Sequence, residues 1–306
     1  MNRSHKIAGV LPILHTPLDE RDNIDTESLK RQIDWAFETG ADGVCTGMVS
    51  EILRLSPDER NALHDQMVQC AGGRGVTVAS VGAESVTQAI AFARHAQQLG
   101  CTALMAAPPV TVALPADSLL EYFRAIAHAT SIPLIVQDAS GYVGTPIPLE
   151  VCVQLLDEFG PDRILFKPEA EPVGPNLSRL REATGGQARI FEGSGGIHLI
   201  DSYRRGIAGT MPGMDLLDGI VTLWRALQEG DEETAYRIYF PICALVALEL
   251  QAGLDGFLAI EKYLLRKRGI FTSERRREPI AWKLDEETRA EVDRLYERLQ
   301  DVLQAR

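Results

Sequence analysis

The stretch that decides the fold is Arg163-Ile164-Leu165-Phe166-Lys167-Pro168-Glu169-Ala170, an apolar run that ends in a lysine, a proline and a glutamate. Turn-forming residues precede it and a helical pattern begins only some residues later, so the run is predicted to be one buried strand. Pro168 restricts Lys167 to an extended backbone. The period of two then places Lys167 and Glu169 on one face, roughly 6–7 Å apart along the strand.

A lysine in this position is unusual for the chain. Of its six lysines, Lys167 is the only one between Lys30 and Lys262, and arginine cannot replace it because a guanidinium stays protonated. A desolvated amine beside a carboxyl is the arrangement that imine (Schiff-base) chemistry on a carbonyl substrate requires. The alternative is an ordinary Lys–Glu pair on the surface, and the position of the strand in the fold decides between the two.

The alternation of short apolar runs with amphipathic helical patterns gives that position. Eight such strand–helix units predict an α/β protein with a closed parallel TIM (β/α)8 barrel. The first strand is not followed by a G-x-G-x-x-G motif, so an open dinucleotide-binding sheet is not favoured. Active sites of these barrels lie at the carboxyl ends of the strands, which is where Lys167 is expected. The predicted strands are 7–14, 43–46, 76–81, 103–106, 133–137, 163–167, 189–192 and 209–211.

Beyond the eighth unit the strand patterns stop. Helical patterns at 231–252, 255–268 and 286–304 predict a C-terminal helical extension. We therefore divide the chain into a barrel with the reactive lysine, residues 1–229, and an extension packed on it, residues 230–306. Two barrel helices are expected to begin with capping boxes, at Ser56 and Ser85.

Composition restricts the partners. The net charge of −12 repels nucleic acid and anionic membranes. No apolar run approaches the length of a membrane span and no secretory signal is visible at the N-terminus, so a cytoplasmic enzyme without a membrane partner is expected. The five cysteines are odd in number, widely spaced and free of C-x-x-C, which predicts buried free thiols and neither a disulfide framework nor a zinc site. The histidines have no partners at ligand spacing, and no metal is expected.

Several segments together resemble one family. They are Gly9-Val10-Leu11-Pro12, Thr16-Pro17, residues 47–51, Leu55-Ser56, Pro108-Pro109, Lys167 and residues 206–211. Over nearly its full length the chain resembles the dihydrodipicolinate synthase / N-acetylneuraminate lyase superfamily of Schiff-base lyases. The resemblance implies that Lys167 forms an imine with the keto carbon of a 2-oxo acid, without a cofactor. It also implies that the loop of Gly47, Met48, Val49 and Ser50 holds the substrate carboxylate.

Departures from the family pattern narrow the activity. The family's Gly-Thr-Thr-Gly-Glu is Gly47-Met48-Val49-Ser50-Glu51 here, so Ser50 carries the one hydroxyl left in the loop. Where the family has a pair of tyrosines after Pro-Pro, this chain has Val110-Thr111. Strand five ends in Gln137-Asp138 where the family has a proton-relaying tyrosine, and an amide cannot relay a proton as a phenol does. The usual dihydrodipicolinate synthesis is therefore not favoured.

Gln137-Asp138-Ala139 with Lys167-x-Glu169 is more similar to the branch of 2-keto-3-deoxy-sugar-acid dehydratases. In that branch an imine forms at C2, a C3 proton is removed and the C4 hydroxyl leaves as water, with Glu169 as the group expected to protonate it. Tyr142 either replaces the missing phenol or caps its loop.

Other candidate residues follow the strands. Gly193, Ser194 and Gly195, after strand seven, either cradle the polar tail of a substrate with backbone N–H groups or serve tight packing. Asp138 either orients Gln137 or binds a substrate hydroxyl. His15 is expected to be a packed or capping residue.

The resulting hypothesis is a Schiff-base lyase of a 2-oxo acid, a dehydratase or aldolase of a 2-keto-3-deoxy sugar acid. The alternatives are a pyruvate-dependent aldolase or divergent dihydrodipicolinate synthase, and a barrel that only binds a keto acid. A homo-oligomer, dimer or tetramer, is expected because similar family members are commonly tetramers.

Overall fold

The computed structural model describes residues 6–305, in which short parallel strands alternate with helices up to residue 229. The strands are β1 Gly9–Val10, β2 Gly43–Cys45, β3 Val76–Ser80, β4 Ala103–Ala106, β5 Leu134–Asp138, β6 Ile164–Pro168, β7 Phe191–Glu192 and β8 Gly209–Thr210. The helices between and after them are α1 Thr26–Thr39, α2 Pro57–Ala71, α3 Val86–Leu99, α4 Ala116–Ala129, α5 Leu149–Phe159, α6 Val173–Ala183, α7 Leu199–Arg204 and α8 Leu217–Glu229.

The eight strands close into a ring. Strands β2 to β6 pair in sequence order, and β7, β8 and β1 form a second parallel set. Two parallel bridges, Ile13 with Cys45 and Phe166 with Ile190, join the sets at both edges. Each strand therefore has a neighbour on either side, and the predicted TIM barrel is confirmed.

The interior of the barrel is filled by apolar side chains that alternate with those facing the helices. Leu165 packs in the interior cluster, whereas its neighbours Ile164 and Phe166 pack in the layer between strands and helices. Because successive side chains of a strand point to opposite faces, Lys167 follows Leu165 on the interior side. The lysine thus lies above the packed interior, at the carboxyl end of β6.

Local capping residues set the starts of the helices. At α2 the Ser56 hydroxyl accepts from Glu59 N at 3.2 Å, and the Glu59 carboxylate accepts from Ser56 N at 2.8 Å, which confirms the predicted capping box. At α3 the Ser85 hydroxyl accepts from Gln88 N at 3.2 Å, and the structure shows a simple N-cap rather than the predicted box.

Three further helices form the extension, α9 Glu232–Glu249, α10 Gly253–Lys267 and α11 Glu286–Gln304. The stretch 232–267 is long and apolar enough, by length and composition alone, to cross a membrane. This corrects the expectation that no apolar stretch approaches that length. Half of its most apolar window is buried inside the protein, and a turn at Leu250–Ala252 divides it into α9 and α10, as in helices that pack on a core.

The cysteines are free thiols. Cys45, Cys101 and Cys152 are buried, as predicted, whereas Cys70 and Cys243 are only partly buried. Cys70 lies near the end of the surface helix α2 and Cys243 in α9, where one side of the helix stays accessible to solvent.

Candidate active site

Three side chains from two adjacent strands meet at the carboxyl end of the barrel. Lys167 and Gln137 stand opposite each other in the β5–β6 register. The Lys167 Nζ lies 2.8 Å from Glu169 Oε1, and Gln137 Nε2 donates to Glu169 Oε2 at 2.7 Å. Only 4% of Lys167 and 6% of Glu169 are exposed, so the pair is not a surface ion pair. An amine, a carboxyl and an amide therefore form one connected buried group.

The environment of Glu169 favours its protonated form. Burial raises the pKa of the Glu169 carboxyl above its usual value, and Lys167 and Gln137 act in the opposite direction without cancelling the effect. A carboxyl held in this way is suited to accept and return a proton during a reaction.

A cavity of about 400 Å³, including the part open to solvent, lies above this group. Its polar side chains are Lys167, Glu169, Gln137, Tyr142 and Glu261, and its apolar ones are Ile13, Met48, Val49, Met211, Leu254 and Phe257. Leu254, Phe257 and Glu261 belong to α10, so the extension covers the mouth of the barrel.

The loop after β7 makes room for the lysine. A Cβ added at Gly193 would lie 2.5 Å from Lys167 Cε and 2.6 Å from its Nζ, so that any other residue would force the lysine side chain to shift. Tyr142 donates its hydroxyl to Gly193 O at 3.2 Å and packs edge-on against Phe257. Gly193 and Gly195 line the cavity, and Tyr142 does so from the loop after β5.

Four predicted substrate-binding residues use their polar groups in hydrogen bonds with neighbouring protein segments. The Ser50 hydroxyl donates to Leu14 O and accepts from Gly47 N at 3.0 Å. The Asp138 carboxylate accepts from Ser140 N and Ile147 N. Ser194 donates both its hydroxyl and its backbone N–H to Glu192.

Of the loop after β2, Met48 and Val49 line the cavity. Among the described residues, the lining does not include Gly47, Ser50, Asp138 or Ser194. The hydrogen bonds of these four explain their orientation. A direct role of theirs in substrate binding stays a prediction.

The family model for the dihydrodipicolinate synthetase family matches residues 6–299. The chain belongs to the dihydrodipicolinate synthetase family. As a member of it the chain is an enzyme of the lyase class, and the resemblance noted from its motifs is confirmed.

Named relatives within the dihydrodipicolinate synthetase family differ in activity. The L-2-keto-3-deoxyarabonate dehydratase of Azospirillum brasilense is 29% identical over 301 residues, which cover 96% of this chain and 95% of that protein. The 4-hydroxy-tetrahydrodipicolinate synthase of Methanosarcina mazei is 28% identical and covers 78% of this chain and 81% of its own length. The crystal structure of dihydrodipicolinate synthase from Rhodopseudomonas palustris superimposes with a TM-score of 0.83 at 27% identity, covering 95% of this chain and 97% of that one.

Two features of this family member were missed in the sequence. Lys262 of α10 is fully buried and donates to Glu51 Oε2, Thr16 O and Arg275 O at 2.7–2.8 Å, which ties α10 to the loops after β1 and β2. Glu261, the preceding residue, lines the cavity above Lys167 and contacts His15 Nε2. The small number of lysines in the chain was the one feature of the sequence that could have drawn attention to Lys262. The helical spacing of the segment gave no indication that Glu261 lines the cavity.

Proposed function

We propose that this lyase dehydrates a 2-keto-3-deoxy sugar acid through an imine between Lys167 and the substrate keto carbon, without a bound cofactor. The observation that carries the proposal is the buried contact of 2.8 Å between Lys167 Nζ and Glu169 Oε1 at the base of the cavity. A small anionic 2-oxo acid is the substrate class that such an amine takes.

Imine formation needs a neutral amine and an acid beside it. Glu169 can take a proton from Lys167, because burial already favours the protonated carboxyl. The amine then bonds to C2, and the former keto oxygen leaves as water with a proton that Glu169 returns. The first of these transfers, from Lys167 Nζ to Glu169 Oε1, spans 2.8 Å.

The imine then makes the C3 hydrogens acidic. C3 is two bonds from Nζ, so a carboxyl oxygen 2.8 Å from Nζ is within reach of the C3 hydrogens once the substrate is oriented. Removal of a C3 proton leaves an electron pair that the imine nitrogen accepts as an enamine. Return of that pair forms a double bond between C3 and C4 and expels the C4 hydroxyl as water.

Gln137 favours dehydration over synthesis. Its amide donates to Glu169 and cannot relay protons as a phenol does. Gln137 Oε1 is buried without a partner among the described residues, so it is free to accept a hydrogen bond from a substrate hydroxyl. The dehydratase among the named relatives, which this chain matches over 96% of its length, supports the same choice.

Borohydride reduction tests the imine. The enzyme is treated with pyruvate or a 2-keto-3-deoxy pentonate, reduced, digested and mapped by mass spectrometry. A reduced adduct on Lys167 is expected, and no adduct with either acid would leave only a keto-acid-binding barrel. Product analysis then separates the activities, because release of pyruvate and an aldehyde identifies an aldolase, whereas retention of all carbons with loss of water identifies a dehydratase.

Two further expectations accompany the proposal. We propose that the protein is cytoplasmic and that it forms a homo-oligomer, a dimer or a tetramer. Sedimentation of the purified protein tests the oligomeric state.

A further inference from the structure

Glu261 is an acidic side chain that lines the cavity from α10, not from the strands β5 and β6 near Lys167. It projects from α10, is 2% exposed and lies beside the loop after β8, where a Cβ on Gly213 would meet its Oε1. Its Oε2 contacts His15 Nε2. The other ionisable side chains among the described lining residues, Tyr142, Lys167 and Glu169, come from the β5–β6 side.

Two more buried carboxyls stand behind Glu261. Asp215 is 3% and Glu249 1% exposed, and one oxygen of each has no partner among the described residues. The nearby cations are engaged elsewhere, since Lys262 pairs with Glu51 and Arg268 binds Asp218 and the Asp215 carbonyl. Neighbouring carboxyls in a dry interior cannot all ionise, so the cluster must hold protons.

Burial favours the neutral form of both members of the His15–Glu261 pair. Burial raises the pKa of Glu261 well above its usual value. Burial, and the Lys262 charge in the same direction, lower the pKa of His15 to about 4, although Asp215 and Glu51 oppose this. Glu261 therefore lines the cavity as a neutral acid, and the contact of its Oε2 with His15 Nε2 orients it.

We propose that Glu261 is the general acid of the dehydration and donates its proton to the C4 hydroxyl as that group leaves. This rests on the proposed function and divides the proton transfers between two carboxyls. Glu169, beside Nζ, is placed for C3, while the leaving oxygen on C4 lies farther along the substrate chain. An acid across the cavity suits that oxygen better than Glu169, to which the sequence assigned it.

The step balances as follows. Glu169 takes the C3 proton, the C3–H electron pair becomes the C3–C4 double bond through the enamine, and the C4–O pair leaves with the hydroxyl. The O–H bond of Glu261 breaks to form water. After the product leaves the lysine by hydrolysis, Glu169 gives up its proton and Glu261 regains one through solvent. No oxidant or cofactor is needed.

The decisive comparison uses Glu261→Gln, which keeps the size and a hydrogen-bonding group for His15. The variant is expected to form the borohydride-trapped adduct and to exchange the C3 hydrogens of pyruvate with D2O at the wild-type rate. Its kcat on the 2-keto-3-deoxy pentonate should fall by about 100-fold or more, the contribution of a general acid. With 4-chloro-2-oxobutanoate, from which chloride leaves without a proton, elimination should stay near the wild-type rate.

Glu249→Gln is the matched control, since it lies in the same buried cluster but does not line the cavity. It is expected to keep both eliminations. Glu261→Asp, which withdraws the carboxyl by one methylene, should reproduce the split between hydroxyl and chloride and serves if the glutamine variant does not fold. Equal loss of both eliminations in either Glu261 variant, unchanged loss of water, or the same defect in Glu249→Gln would overturn the assignment. Absence of an adduct in the wild type would instead refute the imine itself.

Discussion

At the scale of single residues, the two buried lysines differ in how completely their amines are bound. Lys262 Nζ donates to three oxygens, including the fully buried Glu51 carboxylate. Lys167 Nζ has Glu169 as its acceptor among the described residues, and that carboxyl can hold a proton of its own. An amine beside a cavity whose N–H groups are not all hydrogen-bonded can react with a ligand. An amine whose N–H groups all donate to buried oxygens instead stabilises the fold.

This difference predicts opposite effects of two matched substitutions. Lys262→Met should lower the free energy of unfolding by about 3–5 kcal/mol, because it leaves the Glu51 charge buried and unpaired. Lys167→Met should cost less, since Glu169 can neutralise itself, but should abolish the adduct. Urea denaturation and borohydride trapping of both variants measure the two quantities, and a trapped adduct in Lys167→Met contradicts the assignment.

Glu169→Gln separates imine formation from proton transfer. The variant should still form the adduct, but its kcat should fall by about 10²–10⁴-fold and its exchange of the C3 hydrogens of pyruvate should be lost, because an amide cannot take the proton. Deuterium uptake followed by NMR gives the second quantity. Glu84→Gln, an exposed carboxyl bonded to Thr111, is the control, and unchanged turnover in Glu169→Gln would remove Glu169 from the mechanism.

At the scale of elements, the loop after β7 is shaped by the lysine it covers. Gly193→Ala would place a methyl group 2.6 Å from Nζ, which forces Lys167 to move. We expect the rate of adduct formation to fall at least tenfold while the thermal unfolding temperature changes little, since a misplaced reacting atom costs rate.

The control for Gly193→Ala is Gly100→Ala, at the end of α3. Gly100 has φ +84° and open space around its Cβ position, so the substitution strains the backbone by about 1–3 kcal/mol without touching the site. It should lower stability and leave trapping intact. A normal trapping rate in Gly193→Ala would mean that the loop yields and does not position the lysine.

The helices and strands were largely predictable from the sequence, whereas the residues at which they end were less predictable. Strand β4 has the predicted limits, whereas β1 covers Gly9–Val10 of a predicted 7–14. Beyond Val10 the chain pairs with β2 at an isolated bridge through Ile13, because neighbouring strands of a barrel are staggered. Apolar runs indicate burial; they do not indicate where pairing ends.

The site shows the same limit. Lys167, Glu169 and Gln137 come from adjacent strand ends, whose proximity follows from barrel topology alone. His15 and Glu261 meet across 246 positions of the chain, through a helix whose docking angle no periodicity specifies. The extension was expected to pack on the barrel, and its contribution of an acid to the cavity could not be predicted from the helical pattern.

At the scale of the whole molecule, the buried carboxyls make stability depend on pH. Burial and the neighbouring Glu261 raise the pKa of Asp215 from 3.8 to about 7. The folded state therefore binds a proton that the unfolded state releases above its own pKa. The resulting stabilisation is complete below about pH 4 and is lost as the pH rises through 7, with a slope of at most about 1.4 kcal/mol per pH unit for one proton.

His15 acts in the other direction. Its pKa is lowered from 6.5 to about 4, so its contribution is present above pH 6.5 and is lost as the pH falls through 4. Between pH 6.5 and about 7.5, as the pH passes the folded pKa of Asp215, the slope due to Asp215 remains, and Asp215→Asn should remove it. Urea denaturation across this range should show the wild type losing stability with rising pH more steeply than Asp215→Asn. Parallel curves would mean that Asp215 is ionised in the folded protein and that the cluster does not store its proton there.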